Sequence, residues 1–463
     1  MDYKKERALF VEQKRGFASR VGFIFSMAAF CVGIGNLWKF PYMVGNNGGG
    51  AFLLIYLILV VLVGIPGFII EVTLGRSSQL SPVRAMAKLE GKKKTPWSVI
   101  GWLGVIAIFI IVSYATMIVG GWTGGYIWKI ATGAMKGLSA EEIGATFGSF
   151  SGSPVSLIFA AIEALLLWLC LNSGIKKGVE KVCSFLLPAL LAIMIVLSVY
   201  SNTLPGAFEG LKWYLIPDFS KVTLSSVAAA ACQVFFSIGI GMCCTFVYGS
   251  YSMQSKDMPQ SLTLTALLDT LVAVLAGILV VPALFAFGIE PTSGPSLIFI
   301  TLPQLFNSMG SFGTVFGLLY MVCVFFAGFT SILGGSEALV AVICDGNSRW
   351  SRRRAATLVV VGQFIFGIVF TMSFGTGAIS KISILGLGLF DFADFIASLC
   401  MCLGTIFMLA YVIFRWGFKK FQDEVNGETR SRIRIYNWMK GYICYVYPVV
   451  LIAVFYSIMR MYF

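Results

Sequence analysis

Apolar and polar stretches alternate along this chain at the scale of a lipid bilayer. Apolar runs fall at 21–45, 51–75, 97–129, 155–171, 179–200, 225–251, 261–288, 311–344, 355–373, 384–415 and 436–460. Each approaches or exceeds the length, roughly 20 residues, that a helix needs to cross the hydrocarbon core. The pattern predicts eleven crossings and an all-α integral membrane protein, with 97–129 and 384–415 long enough to tilt or protrude. Residues 131–154 and 201–224 read as polar connectors. Residues 289–308 join Glu290-Pro291-Thr292-Ser293-Gly294-Pro295 to an apolar stretch ending Leu302-Pro303-Gln304-Leu305-Phe306. They read either as a lid over a vestibule or as a simple link. No low-complexity stretch interrupts the pattern, so 21–463 reads as one membrane domain behind a polar, basic tail at 1–20.

Two runs contain residues that a plain membrane anchor does not need. The first holds Phe30-Cys31-Val32-Gly33-Ile34-Gly35-Asn36-Leu37-Trp38-Lys39-Phe40-Pro41. The sixth holds Gln233-Val234-Phe235-Phe236-Ser237-Ile238-Gly239-Ile240-Gly241-Met242. Glycine in a membrane helix alone signals close packing. Here the two irregular segments lie five crossings apart, so the units that contain them, about 21–200 and 225–415, have opposite topology. Matching breaks in inverted repeats point to a transport site near the bilayer midplane. Each break exposes carbonyl ends, which attract cations, and amide ends, which attract a carboxylate. A zwitterionic amino acid with sodium matches that field.

Composition narrows the class. With 58% hydrophobic and 12% charged residues, the chain has too little polar surface for a soluble protein. The net charge of +13 is mostly positive-inside charge rather than a nucleic-acid footprint. With the N-terminus in the cytoplasm, 27 of the 34 Lys and Arg fall on 1–20 and on alternate connectors, and an odd number of crossings puts the C-terminus outside. Histidine is absent, which removes His-dependent triads and most zinc sites. The 11 cysteines lack metal-ligand spacing and read as small core residues. No cleavable signal peptide is expected.

At residue level the chain resembles the neurotransmitter:sodium symporter family in its bacterial amino-acid branch. The resemblance rests on Gly33-Ile34-Gly35-Asn36-Leu37-Trp38-Lys39-Phe40-Pro41-Tyr42, Asn47-Gly48-Gly49-Gly50-Ala51-Phe52, and Gly64-Ile65-Pro66 with Glu71 and Gly75-Arg76. It continues through Phe235-Phe236-Ser237 to Gly241, Leu268-Asp269-Thr270 and Ala327-Gly328-Phe329-Thr330-Ser331, and covers nearly the whole chain. It implies a 5+5 inverted repeat with broken helices 1 and 6, and an extra helix at about 436–460. It also implies two sodium ions, an amino-acid substrate, no chloride requirement, a bacterial plasma membrane, and a monomer or homodimer.

By the same resemblance, one sodium site uses Cys31, Asn36, Ser237, Asp269 and the substrate carboxylate, with Asp269 in place of chloride. The second uses Ala29, Val32, Ala327, Thr330 and Ser331, although hydroxyls in helices ordinarily bond back to their own turn. Substrate contacts fall on Cys31, Gly33, Gly35, Phe236, Gly239, Gly241, Met242 and Ser331. Gly239 and Gly335 imply a roomy pocket for a large apolar or aromatic amino acid. The family's third-helix tyrosine is out of register. Counting from Gly101-Trp102 places it at Ala115 and counting back from Gly121-Trp122 at Thr116, while the nearest tyrosine is Tyr114. A one-residue bulge would turn Tyr114 inward; otherwise Thr116 supplies the hydroxyl.

Lys39, Asp394 and Phe236 occupy the family's outer-gate positions, and Lys14, Asp345 and Tyr251 the inner ones. Gly178 and Pro188 match a pattern that lets the fifth helix unwind. The expectation is a sodium-coupled amino-acid symporter working by alternating access. A non-transporting amino-acid sensor, or a symporter of another small carboxylate on the same fold, remains the alternative. A channel fits poorly with paired gates, and an intramembrane enzyme lacks the residues.

Overall fold

The computed structural model describes residues 16–252, 257–289, 296–346, 350–374, 378–427 and 433–463. Among them, nine helices are long and apolar enough to cross a bilayer: Gly50–Ser78, Pro96–Ala131, Pro154–Asn172, Ile175–Asn202, Met258–Ala286, Gly313–Gly346, Arg352–Met372, Leu389–Trp416 and Met439–Arg460. The pair Arg20–Cys31 and Gly35–Asn46, bent by 54°, makes a tenth crossing. Leu224–Ile238 and Cys244–Tyr251 are each too short to cross alone. Taken together as a broken sixth span they complete the expected set of eleven, numbered here in chain order.

Local chemistry sets the helix starts. Ser19 caps the first span by accepting from the Gly22 amide. Ser153, with Pro154 behind it, opens the fourth. Thr223 and Ser226 form a reciprocal cap on the sixth. Each arrangement satisfies amides that a helix start leaves without partners.

The connectors hold more structure than their polarity suggests. Ser139 and Glu142 form a capping box on a helix at Ala140–Ser151, and a further helix runs over Ala207–Leu215. Residues 290–295 of the expected lid or link lie outside the description. Its apolar part is the helix Leu297–Ser308, packed on Ala140–Ser151 and on the eighth span. The tenth span begins at Leu389 rather than 384, because Ser383–Ile384 pairs with Leu387–Gly388 in a small hairpin. Leu385 and Gly386, both at positive φ, form its turn.

Close backbone approaches hold the bundle together. A Cβ on Gly75 would lie 1.9 Å from the Phe246 carbonyl, and one on Gly249 would lie 2.4 Å from that of Val72. The second span and the inner half of the sixth therefore meet through their glycines, as membrane helices without a hydrophobic drive between them do. The fifth span opens with a π-helical segment, Ile175–Glu180. There Glu180 accepts the Ala18 amide at 2.7 Å and the Ser19 hydroxyl at 3.4 Å, tying the chain before the first span to the fifth. Pro188 lies further along the same span, inside Lys181–Asn202.

Candidate functional site

The first span breaks where Val32 leaves helical geometry for φ −69°, ψ 93°, and the chain resumes as a π-helical turn at Gly35–Lys39. The break turns backbone carbonyls toward the eighth span. The Thr330 hydroxyl donates to the Ala29 carbonyl at 2.8 Å and also meets those of Phe326 and Ala327 on its own helix. The Ser331 hydroxyl lies 2.7 Å from the Phe30 carbonyl and 3.2 Å from that of Val32. Ala29, Val32, Ala327, Thr330 and Ser331 thus lie together, an all-oxygen cluster of the kind hard cations take.

The sixth span breaks through three residues at positive φ: Gly239, Gly241 and Cys243. Its loosened backbone is held from the side. The Gly241 amide donates to Glu71 Oε2 at 2.8 Å, and Glu71 is fully buried on the second span. Sequence reasoning gave Glu71 no role, although a lone carboxylate within an apolar run is itself a signal.

Between the two breaks lies a buried polar cluster. Asn36 Nδ2 donates to Asp269 Oδ1 at 2.8 Å and to Ser237 Oγ at 3.2 Å. Ser237 Oγ donates to Asp269 Oδ2 at 2.7 Å. The amide of Gly33 reaches Asn36 Oδ1 at 3.3 Å. Asp269 is wholly buried, so these donors replace the water its carboxylate gives up. The seventh span therefore presents Asp269 to the middle of the bundle, as a partner of both broken spans.

A cavity of about 290 Å³ opens beside this cluster. Cys31, Gly33, Gly35, Phe236, Gly239, Met242 and Ser331 all line it, as do Asn36 and Ser237. Two expected contacts lie elsewhere. Gly241 is absent from the wall, and its amide is committed to Glu71. Thr116 also lies off the wall, donating to the Val112 carbonyl and accepting from Gln363 Nε2. Tyr114 does line the cavity, and a π-helical segment at Met117–Thr123 follows it in the third span. Its hydroxyl donates to Asp394 Oδ1 at 3.0 Å. Gly335 adds no room: a Cβ there would lie 2.7 Å from Val112 and 2.8 Å from Ile108. The third span has already filled that space.

Lys39, Phe236 and Asp394, the residues expected at one gate, share the cavity wall. Lys39 Nζ sits 4.7 Å from the centre of the Phe236 ring, and no Lys39–Asp394 ion pair occurs among the described residues. Lys14 lies outside the described residues. The Asp345 carboxylate accepts the Ser81 amide at 2.7 Å, and its carbonyl accepts from Arg84. Tyr251 donates to Glu337 Oε1 at 2.9 Å. Arg352 grips the buried Glu337 through both guanidinium ends and donates to the Leu171 carbonyl. This network joins the fourth, sixth, eighth and ninth spans, and neither Glu337 nor Arg352 was expected. Removing one partner from such a pair costs about 3–5 kcal/mol.

The family model described as the sodium:neurotransmitter symporter family matches residues 14–141 and 145–462. An uncharacterized sodium-dependent transporter of Bacillus subtilis is 33% identical, covering 95% of this chain and 96% of its own. One from Methanocaldococcus jannaschii is 31% identical, over 96% and 90%. The crystal structure of MhsT in complex with L-phenylalanine superposes with a TM-score of 0.85 at 34% identity, covering 96% of this chain and 99% of that one.

Proposed function

The chain belongs to the sodium:neurotransmitter symporter family and is a multi-span membrane transporter rather than an enzyme; on that premise we propose that it couples sodium to the uptake of large apolar or aromatic amino acids by alternating access. The observation that carries this reading is the cavity between the two breaks. It has Asn36 and Ser237 on one side, with Asp269 bonded behind them, and apolar side chains such as Ile108, Phe236 and Ile332 on the other. The polar side suits sodium and a carboxylate, and the apolar side suits a bulky side chain. Phenylalanine in the similar MhsT supports the same class.

In this reading the first sodium is held by the Cys31 carbonyl, Asn36, Ser237, Asp269 and the substrate carboxylate. The second is held by Ala29, Val32, Ala327, Thr330 and Ser331. Asp269 supplies the negative charge, so chloride is not required. The sodium gradient drives net uptake, and sodium and substrate shift the balance between the outward and inward states by binding the two with different affinity. Residues 21–463 act as one transporter domain, with the N-terminus in the cytoplasm and the C-terminus outside, in a bacterial plasma membrane.

Proteoliposomes test the reading. A sodium gradient should drive accumulation of labelled phenylalanine, leucine or tryptophan, with glycine, glutamate and lysine far behind. Binding without accumulation would identify a sensor and overturn the symport reading. Preference for a charged or very small substrate would overturn the assigned class.

The third span gives a second test. Tyr114→Phe should raise the KM for the best substrate roughly tenfold, the loss expected for a hydrogen bond to a charged group. Thr116→Val should leave that KM within about twofold, its hydroxyl being occupied within the bundle. The reverse order would move the carboxylate contact to Thr116.

A further inference from the structure

Asp394, on the tenth span, is held by two phenols. Tyr114 of the third span donates to Oδ1 at 3.0 Å, and Tyr462 at the outer end of the eleventh helix donates to Oδ2. The Tyr462 ring is seated edge-on against Phe395, with centroids 5.3 Å apart, and Phe463 meets the Phe395 ring at 5.2 Å. Lys39 shares the cavity with Asp394 but lies over Phe236 instead. The acid and the base of the outer gate are thus both engaged, each with an aromatic side chain and neither with the other.

Resting on the gate reading above, we propose that Tyr462 is a positioning residue of the outer gate, a latch that holds Asp394 away from Lys39 and so favours the outward-facing state. A carboxylate has room for several donors, but their directions compete. A phenol bonded to an ionised carboxylate is a strong, charge-assisted partner. For Asp394 to swing toward Lys39, the Tyr462 bond must lengthen or break. The eleventh helix lies outside the two five-helix units, yet through this one hydroxyl it weights the balance between them. The Phe395 contact fixes where that hydroxyl points, because it fixes the ring.

Tyr462→Phe removes the hydroxyl and keeps the ring. The readout is alkylation of Cys31, which lines the cavity, by a membrane-impermeant thiol reagent added outside and quantified by mass spectrometry. In sodium without amino acid, Tyr462→Phe should slow alkylation roughly tenfold, the worth of one hydrogen bond to a charged group. In an Asp394→Asn background the same substitution should add little. Lys39→Gln should speed alkylation by weakening closure. An unchanged rate in folded Tyr462→Phe, with Lys39→Gln still faster, overturns the latch alone. Unchanged rates in both variants overturn the gate reading itself. A Tyr462→Phe effect of full size without Asp394 also overturns the latch, because the hydroxyl would then be acting on something else.

Discussion

Replacing Asp269 with alanine should abolish sodium-dependent uptake, by a hundredfold or more. The variant removes the acceptor for two buried donors at once, Asn36 Nδ2 and Ser237 Oγ. Each unsatisfied buried group costs about 1–3 kcal/mol, and every 1.4 kcal/mol is a factor of ten. The proposed sodium site loses its only fixed negative charge as well. Asp269→Asn separates the two effects. The amide still offers an oxygen to one donor, so thermal stability should recover in part while uptake stays low. In the unaltered protein, replacing chloride with gluconate should leave uptake unchanged. Lost uptake in gluconate would remove Asp269 from the role of fixed anion, and Asp269→Ala variants that still transport would remove it from the sodium site.

The second large effect is expected at Gly241. Alanine there places a Cβ 2.2 Å from the Met401 carbonyl and 2.6 Å from the Thr405 hydroxyl, at φ +86°. The backbone of the tenth span cannot yield as a side-chain tip can. The left-handed conformation adds about 1–2 kcal/mol for any residue with a Cβ. Moving the segment also pulls the Gly241 amide away from Glu71. Gly241→Ala should therefore lower the melting temperature in detergent by several degrees and abolish transport. Gly133→Ala is the matched control: φ there is +74°, with nothing within 4 Å of the added carbon. It bears the backbone strain without the clash and should transport normally. Equal behaviour of the two variants would show that strain, not the approach of the tenth span, sets the demand for glycine.

Hydropathy alone made most of the fold legible, because a bilayer imposes one length on every crossing. It was blind inside the connectors, where the signal is capping chemistry. Ser139 three residues before Glu142 announces Ala140–Ser151, although no long apolar run follows. The third-span tyrosine shows a different limit. The counts from its two ends disagree by one residue, and the π-helical segment at Met117–Thr123 starts after Tyr114 and contains the Gly121-Trp122 anchor. A π turn holds one residue more than an α turn and shifts the phase of everything beyond it. Glu71, Glu337 and Arg352 were visible as lone charges near or within apolar segments, but their partners come from other helices, and only packing brings these together. Gly335 misled in the opposite sense, since a small residue creates space only where no neighbour takes it.

The bond from Glu180 to Ala18 has a consequence for hydrogen exchange. The Ala18 amide is protected by a carboxylate carried on the π-helical start of the fifth span rather than by its own helix. Any opening that unwinds Ile175–Glu180 withdraws that acceptor, so both segments should exchange deuterium with one shared rate and one shared sodium dependence. Glu180→Gln weakens the acceptor and should leave Ala18 exchanging freely, while the fifth span keeps its own rhythm.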